Sequence, residues 1–383
     1  MYITVLCKVV DNYGDIGVCW RMCRRLKKIA PQNTISLVVD NFDTFEKIEP
    51  RVNQQNVIAS GAWQSIQIEG IDIYNWHDDY NCHKIFSAND GERLSIILEC
   101  FQCGRPDWME KILFEEKLQR TVQIIMIDYL TAEKYAEDFH CLKSLTRSAK
   151  VQKVNFMPGF TSKTGGLIID DEWLCLPQWN ENGPVLVFTY TMGKGLLENP
   201  RSLNDGAGSL RLSKGPLLTP LPFMPQPEWD KMMKQCSALI IRGEESMSRA
   251  CLSGIPFIWQ AYPQSEEYQL VKVKALLERM RQHFGEEEFE IVEKAWMCIN
   301  SNDIIERPFE SLRDHDDLGC LSNDLGCLSN DLGCLRLSKA PYDTFFQNLK
   351  SLRPGFLSFA QSLQKNGDLC ANLMTFINKI AII

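Results

Sequence analysis

Short runs of consecutive apolar residues recur along the first half of the chain, with amphipathic stretches of helical period between them. The runs are Tyr2–Cys7, Ile35–Val39, Ile71–Tyr74, Ser95–Glu99, Gln123–Ile127 and Val154–Met157. Strands of this length that are apolar on both faces belong to a parallel sheet covered by helices. Between the first two runs, Ile16, Cys19, Cys23 and Leu26 fall at steps of 3, 4 and 3, one face of a helix. The alternation predicts βαβ units. A second alternating set begins near Gly183, with strands expected in "GPVLVFTYT", "SALII" (237–241) and "IPFIWQAY" (255–262). The stretch "SEEYQLVKVKALLERMRQHFG" predicts a long helix with Gly285 just past its end, and the tail from Tyr342 predicts helices broken at Pro354-Gly355 and Asn366-Gly367. Two α/β domains in series follow, with a cleft expected between two facing sheets.

The chain has 383 residues, 45% hydrophobic and 23% charged, enough for two domains with substantial cores. A net charge of −8 argues against a broad nucleic-acid or anionic-membrane surface. Apolar stretches fall short of the roughly 20 residues of a membrane span, and Met1 leads directly into a strand, so a cytoplasmic protein is expected. The fifteen cysteines lie mostly inside apolar segments and read as small core residues. Cys100-Phe-Gln-Cys103 is a lone CxxC, and the five histidines show no ligand spacing, so no structural metal is expected.

Residues 317–335 repeat a seven-residue unit, "DLGCLSN", nearly three times, and "LRLSK" occurs at both 210–214 and 335–339. The leucines mimic a heptad, but each unit carries Gly and Asp, which disfavour a helix. The segment reads as a surface insertion; an oligomerisation element is the alternative.

Two turns carry chemistry. In "VVDNYGDIGVCWR" (9–21) the first strand meets the first helix, where a nucleotide-binding fold usually cradles phosphate. This turn holds Asp11 and Asp15 instead. A carboxylate there acts as a general base or holds a sugar hydroxyl; alternatively, Asp15 caps the helix and Asp11 closes an Asx-turn. The aspartyl-phosphate spacing is missing, since residue 13 is Tyr. In "IIRGEESMSRA" (240–250) a strand ends at Ile241 and a helix starts near Ser246, which makes an anion site of free N–H groups. Ser246 can donate its hydroxyl and Arg242 can approach a nucleotide. The glutamates would repel a diphosphate, which leaves backbone N–H groups as the binding atoms, or they merely suit the helix dipole. "FMPQPEWD" (223–230) offers Phe223 and Gln226 to a base, and "WQAYPQSEEY" (259–268) offers Tyr262. "RMCRRLKK" (21–28) reads as a solvated helix face or a partner-docking patch.

Taken together, these stretches resemble the bacterial protein-arginine rhamnosyltransferases that modify translation elongation factor P, the EarP family. The resemblance rests on Asp11 to Arg21, on Arg242-Gly-Glu-Glu-Ser246, and on "LECF" (98–101), "FMPGFTSKTGGLI" (156–168), "PFMPQ" (222–226) and "PFIWQAYPQ" (256–264). It implies a GT-B glycosyltransferase fold of two facing Rossmann-like domains: an acceptor domain at 1–172, a nucleotide-sugar domain at 173–355 containing a repetitive insertion at 317–339, and helices at 356–383 packing back on the first domain. It implies the donor dTDP-β-L-rhamnose, an arginine of elongation factor P as acceptor, inversion, and no cofactor, metal, nucleic acid or membrane. Asp15 corresponds to the base, Asp11 to a supporting residue and Glu244 to an essential glutamate. Tyr190, Phe223, Gln226, Arg242, Glu245, Ser246 and Tyr262 match nucleotide-sugar positions. Glu245 stands where the family's motif has Asp, and the 190–223 span is shorter than usual. A GT-B transferase with another donor or acceptor, and a non-catalytic dTDP-sugar-binding protein, are the alternatives. A nicotinamide dehydrogenase would need a G-x-G-x-x-G that "NYGDIG" does not supply.

Overall fold

A computed structural model describes residues 1–10, 13–52, 66–116, 118–187, 210–211, 217–220, 224–301 and 340–380. Two compact units emerge: Met1–Leu176 with Met224–Trp229 and Gln361–Ile383, and Pro177–Phe223 with Asp230–Ala360. The divisions expected at 172/173 and 355/356 fall at 176/177 and 360/361, and a short stretch around Gln226 joins the first unit.

The first unit is built on an eight-stranded sheet: β1 (Tyr2–Cys7), β2 (Thr34–Val39), β3 (Ile66–Ile68), β4 (Ile71–Asn75), β5 (Ile96–Cys100), β6 (Val122–Ile127), β7 (Lys143–Ser144) and β8 (Val151–Asn155), in the order β3-β4-β2-β1-β5-β6-β8-β7. The six inner strands are parallel, and β3 and β7 pair antiparallel at the edges. From β1 the chain works outward through β2 and β4, then crosses back to β5 and works outward through β6 and β8. The winding direction therefore reverses between β1 and β5, and in open α/β sheets ligands bind at the carboxyl ends flanking such a reversal.

Helices cover both faces. One face buries Ile16, Cys19, Trp20, Cys23 and Leu26 of α1 (Tyr13–Ile29) together with Leu369, Cys370, Leu373 and Ile377 of the C-terminal helix, Leu369–Ile380. Trp20 meets Phe45 of α2 (Phe42–Ile48) edge-on at 5.3 Å. The other face buries Phe86 of α3 (Asp79–Gly91) and Trp108, Met109 and Ile112 of α4 (Asp107–Phe114). Two short helices, α5 (Tyr135–Phe139) and α6 (Asp171–Leu174), complete the unit.

The basic run on α1 is solvated only in part, at Arg24 and Lys28, and its cations are committed to partners within the unit. Arg21 and Arg25 are buried, Arg21 against Asp170 and Arg25 against Asp171 and Asp368, the last at 2.9 Å. Lys28 reaches Asp171 at 2.7 Å, Arg24 reaches Glu69 at 2.9 Å, and Lys27 donates to the carbonyls of Pro31 and Asn33. Burial works against the Arg25 charge, but Asp368 and Asp171 outweigh it and raise its pKa. Hydrogen bonds from Lys28 and Arg25 hold the Asp171 carboxyl below its usual range. Asp368 also accepts from the Ile169 N–H at 2.9 Å and the Ala371 N–H at 3.2 Å, so one carboxylate ties α1, the segment before α6 and the start of the C-terminal helix. The "FMPGFTSKTGGLI" segment is the other half of this dock. Leu369 N–H donates to the Leu167 carbonyl at 2.8 Å, and a Cβ on Gly166 (φ 86°) would meet the Gly367 carbonyl at 2.6 Å.

The second unit holds a five-stranded sheet, β9 (Val185–Val187), β10 (Leu210–Arg211), β11 (Leu217–Pro220), β12 (Ala238–Ile241) and β13 (Phe257–Trp259), in the order β10-β11-β9-β12-β13. All pairs are parallel except β10 with β11. The winding reverses between β9 and β12. Its helices are α7 (Gln226–Met233, shared with the first unit), α8 (Glu244–Ser253), α9 (Tyr268–Arg281), α10 (Glu286–Asn300), α11 (Ala340–Gln347) and α12 (Leu349–Lys365), the last running on into the first unit.

Three expectations are corrected. The helix after β12 begins at Glu244, not near Ser246. Gly285 does not end the preceding helix, which stops at Arg281; it is the N-cap of α10. Pro354-Gly355 does not break a helix, because α12 runs through it, and Gly355 supplies the space for Phe284: a Cβ there would lie 2.2 Å from its ring. Among the described residues no helix is long and apolar enough to cross a membrane. The repeat at 317–339 lies outside the described residues.

Candidate functional site

Both chemistry-bearing turns stand at the winding reversals of their sheets. In the first unit, β1 ends at Cys7 and the chain turns outward. Two carboxylates fix the turn: Val9 N–H donates to Asp40 Oδ1 at 2.8 Å and Val10 N–H to Asp15 Oδ2 at 2.9 Å. Asp15 lies in the first turn of α1 and not at its N-cap, and is only 2% exposed. It reaches back to the backbone before the helix, as the acidic member of a capping box does. A carboxylate near a helix N-terminus also sits well with the dipole. The question raised by acid in this turn thus has a structural answer beside the chemical one: the carboxylates hold backbone N–H groups that a phosphate would otherwise claim.

Gln226 belongs to this unit. Its Nε2 donates to the Gly17 carbonyl at 2.8 Å, and a Cβ on Gly17 would come within 3.0 Å of the same atom. The second glycine of the "GDIG" motif is therefore the place where Gln226 reaches the α1 backbone. Gln226 is 6% exposed, and its Oε1 has no hydrogen-bond partner among the described residues. A buried acceptor without a donor is costly unless a ligand fills it.

In the second unit, β12 delivers Arg242 and Gly243 to α8. The buried Arg242 guanidinium lies over the Tyr262 ring, 4.8 Å from its centroid. Trp259 Nε1 donates to the Arg242 carbonyl at 2.8 Å. Gly243 is the N-cap of α8 and makes no side-chain cap hydrogen bond to the first N–H groups of the helix. Glu244 and Glu245 both face cations: Lys272 Nζ stands 3.6 Å from Glu244 and Arg249 Nε 3.7 Å from Glu245. Their charge is thereby offset locally. Asn300 fixes the far wall, accepting from Ala261 N–H at 2.8 Å and donating to the Trp259 carbonyl at 2.8 Å, which sets the exit from β13 that leads to Tyr262.

The structure therefore gathers Asp15 and Gln226 around the first helix, and Arg242, Glu244, Glu245, Ser246 and Tyr262 around α8. Asp11, Tyr190 and Phe223 lie outside the described residues. Lys272 and Asn300 were not legible as site residues, because each acts through a partner distant in sequence; Arg249 pairs with Glu245 one turn away on α8 and could have been read from that spacing. Among the described residues no group of three His, Cys, Asp or Glu side chains gathers as a metal site, and all twelve described cysteines are free thiols.

Two Rossmann-like α/β units in one chain are consistent with the GT-B fold class. Within that class, the chain belongs to the family described as Elongation-Factor P (EF-P) rhamnosyltransferase EarP, whose model matches residues 3–182 and 185–378. The protein-arginine rhamnosyltransferase of Shewanella oneidensis is 28% identical over 328 residues, 71% of this chain and 79% of that protein. That of Pseudomonas aeruginosa is 28% identical over 72% of this chain and 80% of its own. A solved structure described as "Structural basis for EarP-mediated arginine glycosylation of translation elongation factor EF-P" aligns over 99% of both chains at 13% identity and a TM-score of 0.40.

Proposed function

We propose that this chain transfers L-rhamnose from dTDP-β-L-rhamnose to an arginine side chain of translation elongation factor P, with inversion at the anomeric carbon and Asp15 as the general base. The observation that carries the reading is the buried Asp15 carboxylate, anchored by Val10 N–H at the winding reversal of the first sheet.

Guanidinium is a poor nucleophile because it is protonated at neutral pH. As an arginine Nη attacks C1 of the rhamnose, its proton passes to Asp15. The C1–O bond to the diphosphate breaks on the opposite face, and its electron pair leaves with dTDP. Positive charge builds on the sugar ring, and a nearby carboxylate stabilises it; Asp11, four residues before Asp15 in sequence, is assigned that supporting role. On the leaving side, the diphosphate charge falls to backbone N–H groups of Glu245 and Ser246, the Ser246 hydroxyl and Arg242. The repulsion expected from the two glutamates is met by Lys272 and Arg249. The Arg242–Tyr262 stack suits a nucleoside, and Tyr190, Phe223 and Gln226 match nucleotide-sugar positions of the family. The reading needs neither a cofactor nor a metal ion.

Intact-mass spectrometry tests it. Elongation factor P incubated with the chain and dTDP-β-L-rhamnose should gain one deoxyhexose on an arginine, unchanged by a metal chelator. Asp15→Asn keeps an oxygen for Val10 N–H and should fold normally, yet slow transfer by about 10²–10⁴-fold. No gain in mass with the unaltered chain sinks the reading; full transfer by the variant removes Asp15 as base.

A further inference from the structure

The "LECF" stretch ends β5 on the opposite side of the same winding reversal. Leu6 of β1 is in register with Glu99 of β5, so the chain leaving β1 and Phe101 leave the sheet as neighbours, about one strand spacing (~5 Å) apart. Phe101 packs on the apolar cluster that also carries Val9, Tyr13 and Ile16, the residues bracketing Asp15.

The backbone here is unusual. Phe101 and Gln102 take φ of 56° and 54°, the left-handed region that residues other than glycine avoid. Such strain persists where surrounding structure enforces it, and it concentrates at functional sites. The enforcing contacts come from the loop after β6. Phe101 N–H donates to the Ile127 carbonyl at 2.7 Å, and the Phe101 ring stacks on Tyr129 with centroids 4.6 Å apart and planes 25° from parallel. Asp128 locks the arrangement: its Oδ1 accepts from Tyr129 N–H at 2.8 Å and its Oδ2 from Gln102 Nε2 at 3.1 Å. A half-buried aromatic ring is thus held in a costly backbone conformation just past the carboxyl end of β5, on the same apolar cluster as Tyr13 and Ile16, which flank Asp15.

We propose that Phe101 positions the acceptor, its ring packing face-on against the planar guanidinium of the arginine, with Tyr129 and Asp128 holding the ring in place. This rests on the reading above. Guanidinium is weakly hydrated and stacks on aromatic faces both as a cation and as a plane. The stack therefore survives loss of the proton to Asp15 and keeps the guanidino plane fixed while Nη attacks.

The test uses the full chain with Phe101→Leu, which keeps an apolar side chain for packing but removes the ring face, and Phe101→Tyr, which restores it. The readouts are the Kd and KM for elongation factor P and the Kd for dTDP-β-L-rhamnose. Phe101→Leu should weaken the acceptor about fivefold, within the range of a partly desolvated cation–π contact, with donor binding unchanged, and Phe101→Tyr should match the unaltered chain. An unchanged acceptor Kd in Phe101→Leu overturns the proposal, as does equal loss in both variants, which marks a packing role. If the unaltered chain binds elongation factor P without modifying it, the transferase reading falls while Phe101 is still judged by the acceptor Kd. If it does not bind the acceptor, both fall.

Discussion

Lys272 shows how a single distant residue sets the charge at a site. The α8 N-terminus carries two glutamates, acceptable to the helix dipole but hostile to a diphosphate. Lys272 Nζ lies 3.6 Å from Glu244, with both side chains about one-quarter exposed. Lys272→Met should raise KM for dTDP-β-L-rhamnose about threefold to fivefold, the scale of a partly solvated ion pair, with the acceptor KM unchanged. Lys272→Arg should restore it. Steady-state kinetics with each substrate varied in turn checks this; a KM shift for the acceptor alone counts against it. Asp15 was legible in the sequence because an acid in a strand–helix turn is conspicuous one residue at a time. Lys272 was not: it sits on an amphipathic helix among other lysines, and tertiary packing alone gives it a partner. The same holds for Gly17, readable as part of a motif but explained by the approach of Gln226 from more than two hundred residues away.

At the scale of elements, the α1 ion network decides how the C-terminal helix is held. Arg25 and Asp368 are both largely buried, and Asp368 also takes the N–H groups of Ile169 and Ala371. Removing one partner of a buried pair leaves an uncompensated charge and costs about 3–5 kcal/mol. Asp368→Ala should lower the urea midpoint correspondingly, and Arg25→Met in that background should recover part of the loss. Additive losses in the double variant would contradict direct coupling. Acid should act on the same network. The folded Asp171 carboxyl ionises below its ordinary value of 3.8, so its stabilising share is fully present above that pH and is lost as pH falls through the folded value. The basic run hid all this, since nothing in "RMCRRLKK" names its counter-ions. The strands fared differently. Parallel strands buried on both faces are continuous apolar runs, and the inner strands other than β8 lie within one residue of the expected ranges, β8 starting three residues earlier. The edge strands β3 and β7 are two or three residues long and pair antiparallel, too short to leave a period. Helix α10 was missed because Gly285, its N-cap, was read as the residue closing the helix before it.

For the molecule as a whole, the repeat at 317–335 raises the question of what a domain tolerates between two packed helices. Helices α10 and α11 pack on each other within the second unit, and burial, with the Cys298 thiol nearby, pushes the Tyr342 pKa far up. Residues that flank the repeat in sequence are held by their own contacts: Trp296 donates to the Phe257 carbonyl at 2.9 Å, and Phe345 meets the Phe356 ring. Closing a long loop costs free energy that grows only with the logarithm of its length, about 0.6 kcal/mol per doubling. A repeat of Gly, Asp and Asn between such anchors can therefore be gained or lost with little effect on folding. Excising residues 317–335 should leave the thermal midpoint within about 2 °C and transfer within about twofold, since only half of the residues between 302 and 339 are removed. Sedimentation of the excised and full chains completes the test. An unchanged mass with unchanged transfer makes the repeat a surface insertion. A fall in assembled mass makes its leucine spacing an oligomerisation seam, and the activity of the smaller species then shows whether the two turns work within one chain.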